Sequence, residues 1–209
     1  MKKIILILLA VIIAVSASAQ DKFSFGPKVG FSFSDLHADH EETNDRLSGL
    51  KAGLTIGAFA EYRAIRWFSV SADVLFTQKG SKGDYSYTSP EISMSSKNNI
   101  KLNYIDIPLL ANFYVTKRLA LKAGIQPEFL MGAKHKITEE QNGETQKETV
   151  DLKDVMKTCN FSIPVGISYT FKMGFVVDLR YHIGCTDLLK DGEYKLTNRV
   201  ATLTVGWKF

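Results

Sequence analysis

Eight stretches of this sequence alternate strictly between apolar and polar residues, which is the period of a β-strand with two different faces. None of the eight apolar faces carries a charge, although 23% of the chain is charged. The stretches are 23–33, 50–62, 68–76, 105–115, 119–131, 161–171, 175–183 and 201–209. A soluble β-sandwich and a membrane barrel both need such faces, so apolarity alone does not separate the two folds.

The residues between the apolar positions distinguish a membrane barrel from a soluble sandwich. These polar faces hold five basic and five acidic residues, whose charges cancel: Lys28, Lys51, Glu61, Asp73, Asp106, Lys122, Glu128, Asp178, Arg180 and Lys208. A face exposed to water does not need this balance, whereas buried ions in the interior of a narrow barrel must be paired. We therefore predict that these residues and His182 form a structural ion-pair network inside a barrel whose apolar faces contact lipid.

The connections between the stretches alternate in length. Short connections at 63–66, 116–118 and 172–174 alternate with long ones at 35–49, 79–99, 134–157 and 186–195. Outer-membrane barrels have tight periplasmic turns and longer extracellular loops. The sequence thus predicts an all-β fold, an eight-stranded antiparallel up-and-down transmembrane β-barrel, with an interior that side chains fill.

Aromatic and proline residues add detail to this prediction. Aromatic residues crowd the predicted periplasmic strand ends, where they would form an interfacial girdle: Tyr62, Trp67, Phe68, Phe113, Tyr169, Phe171, Phe175, Trp207 and Phe209. Proline cannot donate a hydrogen bond to a neighbouring strand, so four prolines each predict a bulge or a local break in pairing. They are Pro27, Pro108, Pro127 and Pro164.

The first residues predict export. Lys2 and Lys3 precede an apolar stretch at 4–15 and a small-residue cleavage site at 17–19, the pattern of a secretory signal peptide. The stretch is shorter than the roughly 20 residues of a spanning helix. We expect a signal peptide at 1–19, a barrel domain at 20–209 and a bacterial outer-membrane location. The net charge of +4 is too small to indicate a nucleic-acid partner.

Three segments resemble one family of membrane proteins. Residues 103–111 read NYIDIPLLA, Leu179-Arg180-Tyr181 is followed by Gly184, and residues 205–209 read VGWKF. These segments, in this order, are similar to motifs of the PorT-like outer-membrane β-barrel family, with Leu179 where a small residue is common. The resemblance implies insertion by the barrel-assembly machinery, with Trp207 and Phe209 as the assembly signal. It implies no single activity, because members range from secretion accessories to proteins of unknown role.

The sequence contains two candidate sites for catalysis or metal binding. His182 shares a strand face with Asp178 and Arg180, but a general base needs a nucleophile within reach and no serine motif indicates one. A divalent metal could also be held by a cluster in the first long connection, formed by His37, Asp39, His40, Glu41 and Glu42. Without fixed ligand spacing, a solvated acidic loop explains this cluster better. We predict no catalytic residue, metal or cofactor.

The two cysteines, Cys159 and Cys185, lie on neighbouring predicted strands. If Phe171 pairs with Met173, they face each other and a disulfide is possible. If Phe171 pairs with Phe175, they are diagonally offset and a disulfide would be strained. The sequence leaves both registers open.

Two classes of function fit these predictions. The first is a small non-enzymatic barrel with a structural, partner-binding or secretion-accessory role. Its partners would be outer-membrane lipid, the assembly machinery during insertion, and an extracellular or envelope protein. The alternative is a narrow transport channel or a lipid-active outer-membrane enzyme. The long connections exceed what simple strand linkage requires, which favours the first class.

Overall fold

The computed structural model describes residues 22–38, 49–88, 93–141, 144–190 and 196–209. Ten strands lie in these ranges: β1 (Phe23–Ala38), β2 (Lys51–Ile65), β3 (Phe68–Thr88), β4 (Ser93–Asp106), β5 (Leu109–Tyr114), β6 (Leu119–Gln141), β7 (Glu144–Asp151), β8 (Cys159–Thr170), β9 (Phe175–Gly184) and β10 (Leu196–Trp207). No helix among these residues is long and apolar enough to cross a membrane. The predicted signal peptide lies outside the described residues.

The strands close into a ring with eight positions. β1 pairs with both β2 and β10, so the first and last strands join the two edges of the sheet. Around the ring follow β3, then β4 and β5 end to end, then β6, β8, β9 and β10. β7 lies outside the ring because it pairs only with the outer part of β6. Neighbouring positions are antiparallel throughout, which confirms the predicted eight-stranded up-and-down barrel.

One position of the ring is interrupted by proline. β4 ends before Ile107 and Pro108, and β5 continues the same register on the other side. Ile107 N still donates to Pro127 O at 3.0 Å, and Asp73 N donates to Pro108 O at 3.0 Å. Pro108 and Pro127 have no N–H to donate in return, so the ladder is incomplete at this point, and the strand continues beyond the break.

The other two predicted prolines also lie at gaps in pairing. Opposite Pro164, the pairing of β6 with β8 stops at Ala123 and resumes at Gln126. Near Pro27, the pairing of β1 with β10 begins only at Lys28. Pro27 pairs without interruption with β2, and Pro164 pairs without interruption with β9. The missing N–H of each proline therefore affects only one of its two neighbouring strands.

Burial is inverted relative to a water-soluble protein. Outward apolar side chains are exposed, with Phe31 at 60% and Ile125 at 58%, whereas inward Lys28 and Asp73 are 3% and 1% exposed. Exposing apolar surface to water costs about 25 cal/mol per Å², and a hydrocarbon surrounding removes that cost. The apolar faces therefore contact lipid, as the alternation predicted.

Two of the predicted long loops are largely strand. Most of 79–99 forms the paired ends of β3 and β4, and most of 134–157 forms the end of β6 and all of β7. We call these extensions the outer sheet: 80–88, 93–101, 134–141 and β7. Both of its faces lie beyond the lipid, so it needs no apolar face, and a search for apolar alternation overlooks it.

The turn between β8 and β9 decides the register of the two cysteines. Phe171 N donates to Phe175 O at 2.7 Å, and Gly174 adopts a positive φ of 91°. This is the offset register, and both Cys159 and Cys185 are free thiols at exposed positions. The structure therefore contradicts the possible disulfide between Cys159 and Cys185, because the glycine turn shifts the two thiols away from each other.

Aromatic rings cluster at the end of the barrel that carries the short turns. Phe175 and Trp207 pack edge to face with ring centroids 4.6 Å apart, and Trp67 stacks on Phe113 at 6.4 Å. Phe209 N donates to Phe25 O at 2.9 Å, which attaches the last residue to the first strand. These rings form the predicted girdle at the periplasmic boundary of the barrel.

Candidate functional site: the filled barrel interior

Five charged side chains meet across the middle of the barrel, and we call them the central cluster. Asp178 Oδ2 lies 2.5 Å from Arg180 Nη2, 3.0 Å from Lys122 Nζ and 3.2 Å from Lys28 Nζ. Asp73 Oδ2 lies 2.8 Å from both Lys28 Nζ and Arg180 Nη2. The two carboxylates are thus shared by three cations from β1, β6 and β9, which leaves one excess positive charge in the cluster, and the network joins different walls of the barrel.

Local sequence places these groups inward. Asp178 and Arg180 are two residues apart on β9, so both project to the same side of the strand. Gly166 pairs with Arg180 on the neighbouring strand, and a Cβ at Gly166 would lie 3.0 Å from Arg180 Cγ. The glycine therefore leaves the space that the long arginine side chain fills.

A second group, the upper cluster, lies towards the extracellular end. Lys79 Nζ lies 3.0 Å from Asp106 Oδ2 and 2.9 Å from Glu128 Oε2. Ser162 Oγ and Gln126 Nε2 donate to Glu128 Oε1 at 2.6 and 2.8 Å. One buried lysine thus bridges two carboxylates, which leaves one excess formal negative charge in the cluster, and neutral donors stabilise Glu128.

Sequence analysis missed Lys79, which is 1% exposed and central to this cluster. It was assigned to a loop because apolar alternation on its strand stops at Phe76. Its position in the strand could have revealed it, because Lys79 is an even number of residues from Asp73 and Thr77 and therefore shares their inward face. Its ammonium also lies 4.9 Å from the ring centre of Tyr104, a cation–π contact.

A third group, the lower cluster, closes the periplasmic end. Glu61 Oε2 lies 2.9 Å from Lys208 Nζ, and Tyr114 Oη and Ser69 Oγ donate to Glu61 Oε1 at 2.5 and 2.8 Å. Arg63 packs over the Tyr114 ring at 3.8 Å. Of these, the sequence had indicated Glu61 and Lys208 for the interior. Tyr114 and Ser69 were overlooked because only charged residues and His182 were counted.

His182 is buried next to the charged groups without joining them by a described hydrogen bond. Its Nε2 lies 3.0 Å from Thr202 Oγ1, and its Nδ1 has no partner among the described residues. No described hydrogen bond connects it to a serine or to Asp178. The Thr202 hydroxyl is within reach of His182, but both residues are buried in the barrel interior and no described hydrogen bond from a carboxylate orients the imidazole ring, so the described geometry does not support general-base chemistry on a substrate.

Lys51 is the remaining charge of the ten predicted from sequence. It is buried, and its ammonium donates to the Ile100 carbonyl oxygen. Among the described residues no carboxylate lies within ion-pair distance of it. Lys51 therefore differs from the other interior cations, each of which has an acidic partner.

Apolar side chains close the interior above the upper cluster. We call this group the plug: Leu36, Ile100, Leu102, Tyr104, Leu130, Ala133, Met156 and Leu188. Two segments fold inward to supply part of it, since Met156 bridges Leu189 and Leu188 N donates to Leu196 O at 2.9 Å. The described segments thus pack over part of the extracellular end of the barrel, and the charged side chains of the upper cluster beneath them are buried.

The metal-binding alternative has no support from the described residues. No group of three or more His, Cys, Asp or Glu side chains within them is arranged to hold a metal ion. His37 lies at the end of β1. The other considered ligands, Asp39, His40, Glu41 and Glu42, lie outside the described residues.

A closed antiparallel ring with an apolar exterior and an ion-paired interior defines an integral outer-membrane β-barrel protein. Residues 18–190 match the family described as "Outer membrane protein beta-barrel domain". Because this match covers most of the chain, the protein belongs to that family and resides in the bacterial outer membrane. No curated protein sequence matches the chain.

Several solved structures are similar to this chain. Ail, the attachment invasion locus protein of Yersinia pestis, is 12% identical, with 90% of this chain and 99% of that one covered and a TM-score of 0.48. Neisserial surface protein A is 15% identical, with coverages of 88% and 95% and a TM-score of 0.47. OprG of Pseudomonas aeruginosa is 10% identical, with coverages of 90% and 96% and a TM-score of 0.41.

Proposed function

We propose that this protein is a closed, non-enzymatic barrel that presents its outer sheet to a partner outside the membrane. The observation that carries the proposal is the filled interior. Three ion-paired clusters and the plug occupy the barrel from the periplasmic end to the extracellular end. A protein whose transmembrane part is solid acts through the surfaces it exposes.

The clusters oppose conduction energetically. An ion moving through the barrel would have to separate pairs such as Asp178 and Arg180, whose charged atoms lie 2.5 Å apart. Breaking a buried pair costs about 3–5 kcal/mol because it leaves an uncompensated charge. Each of three successive clusters would impose such a cost, so the narrow-channel alternative is disfavoured.

The outer sheet is the surface that remains for recognition. Its strands extend beyond the apolar band, and β7 lies at an edge, paired with β6 along one side. The exposed residues of β7 are mostly polar or charged, with Lys147 and Glu148 adjacent. Such a surface suits a polar extracellular or envelope protein and does not suit lipid.

The remaining predictions of the sequence complete the proposal. The signal peptide at 1–19 would direct export, and Trp207 and Phe209 would mark the last strand for the barrel-assembly machinery. The PorT-like motifs imply no single activity, and a structural or secretion-accessory role is compatible with them. The lipid-active enzyme alternative is disfavoured because His182 and the Thr202 hydroxyl beside it are both buried in the barrel interior, and no described hydrogen bond from a carboxylate orients the His182 ring.

Single-channel recording tests the proposal. The purified, folded protein is inserted into a planar bilayer, and we expect no steady conductance, because the interior pairs and the plug leave no aqueous path. A variant with both Leu102→Gly and Leu188→Gly lacks two plug side chains. Transient openings of this variant would show that the barrel inserts into the bilayer, so that silence of the unmodified protein means a closed barrel. Steady conductance of the unmodified protein would overturn the proposal in favour of a channel. If the barrel proves closed, proximity labelling on intact cells would identify the proteins that lie next to the outer sheet.

A further inference from the structure

A basic pocket lies where the outer sheet leaves the apolar band. The cavity has a volume of about 240 Å³ and lies between the start of β2 and the adjacent parts of β3 and β4. Its lining is Lys51, Ala52, Gln78, Lys79, Lys82, Asn99, Lys101, Leu102 and Asn103. Among the described residues, four lysines and three carboxamides line it and no acidic residue does, and only Lys79 is already ion-paired, so its chemistry favours an anion.

Three lysines of this pocket, Lys51, Lys82 and Lys101, have no counter-ion among the described residues, whereas Lys79 is paired with Asp106 and Glu128. Lys51 is 6% exposed, and the Ile100 carbonyl is the hydrogen-bond partner of its ammonium within the described residues. No described ion pair involves Lys82 or Lys101. Lys101 also stands directly opposite Lys134 in the strand register, an arrangement of like charges that destabilises a sheet. A bound anion would relieve this repulsion and compensate the buried charge.

A glycine opens the wall at this point. Gly80 adopts a φ of 136°, a conformation that other residues rarely adopt, and a Cβ there would lie 3.1 Å from Lys51 Nζ. Ser34 Oγ accepts from Gly80 N at 2.8 Å, which fixes the kink. The glycine therefore leaves room for the Lys51 ammonium beside the outward-facing groups of β3 and β4.

The height of the pocket identifies the source of the anion. The last outward apolar residues beneath it are Phe76 on β3 and Ile105 on β4, which pair with each other. Lys101 follows four residues beyond Ile105, about 10 Å above the apolar band for a strand tilted by roughly 40°. The headgroup layer of the outer leaflet extends roughly 5–8 Å beyond the hydrocarbon, so a long lysine side chain at this height can reach back into it. An anion held there by a lipid would leave its acyl chains against the apolar exterior below.

We propose that this pocket binds the phosphate group of an outer-leaflet lipid. The lysines supply the charge, and the carboxamides of Gln78, Asn99 and Asn103 supply neutral donors. Basic pockets at membrane boundaries bind anionic headgroups in this way. The inference rests on the membrane placement of the barrel and not on the partner-binding proposal, so each can fail without the other.

Native mass spectrometry of the folded protein in detergent tests the proposal. The probes are bisphosphorylated lipid A, dephosphorylated lipid A with the same acyl chains, and inorganic phosphate. We expect bisphosphorylated lipid A to be retained by the unmodified protein, and retention to fall roughly tenfold or more in a variant with K82Q and K101Q. A variant with K147Q and K153Q, which changes two exposed lysines outside the pocket by the same charge, should retain it fully.

Each other outcome overturns the proposal. Equal retention by the unmodified protein and the K82Q and K101Q variant means that the pocket is not the site. An equal loss in the K147Q and K153Q variant means that binding follows net charge. Equal retention of dephosphorylated lipid A removes the phosphate from recognition, and inorganic phosphate binding as tightly as lipid A assigns the pocket to a soluble anion. Heat-dependent gel mobility verifies that every variant is folded.

Discussion

At the scale of single residues, Asp178 pairs with more cations than any other interior carboxylate in the described part of the chain. It lies within 3.2 Å of Lys28, Lys122 and Arg180, which come from three different strands. Taking charges out of water is costly, and their attraction offsets that cost only when the geometry is good. The network therefore matters most as a condition for burying these groups, and the loss of one shared anion affects several of them.

Replacing Asp178 with Asn should destabilise the barrel by about 3–5 kcal/mol, because three buried cations would share Asp73 alone. The change in the free energy of unfolding is measured by denaturant unfolding in detergent, with the loss of the fast-migrating folded band in unboiled gels as the readout. Asp154→Asn, which removes the same charge from an exposed position, should change stability little. Equal stability of the two variants would show that the central cluster contributes nothing.

At the scale of elements, the strands in the lipid were predictable and their extensions were not. Residues 175–183 alternate between lipid and interior, so their pattern specifies both the strand and its orientation. β7 has water around it and was interpreted as loop, as were the outer ends of β3 and β6. Pairing with a neighbouring strand stabilises these extensions, and such pairing leaves no apolar period in the sequence.

The β8–β9 turn provides a test at this scale. Gly174→Ala should destabilise the barrel by about 1–2 kcal/mol, because Gly174 has a φ of 91° and a Cβ would lie 3.1 Å from the Lys208 carbonyl oxygen. Gly132→Ala is the matched control, since its nearest neighbour would be Asn103 Nδ2 at 3.9 Å. Unfolding rates in detergent should rise for the first variant only, and identical rates would exclude a strained turn.

At the scale of the whole molecule, closure of the ring removes every unpaired edge in the membrane. The β1–β10 ladder runs from Lys28 with Gly206 to Ala38 with Leu196 and joins the two ends of the sheet. Backbone groups in hydrocarbon must be satisfied internally, and a closed barrel achieves this with strands. Apolar residues then cover the outside of the same sheet.

The mature protein should therefore need detergent to stay in solution and should migrate differently in gels before and after boiling. The closed ring and its interior pairs keep the folded form compact until heat separates them. Solubility measured by sedimentation with and without detergent, together with paired boiled and unboiled samples, tests this. A freely soluble chain with a single mobility would contradict the barrel placement in lipid.

The sequence alone determined which residues face lipid and which face inward, because a strand in a membrane must alternate with period two. It thereby specified eight strands, their order and the inward position of the charged groups. The tertiary structure alone decided which charges meet, as in the inclusion of Lys79 and the isolation of Lys51. It also decided the offset register of Cys159 and Cys185. Both depend on distances across the barrel and on one turn, which strand periodicity does not encode.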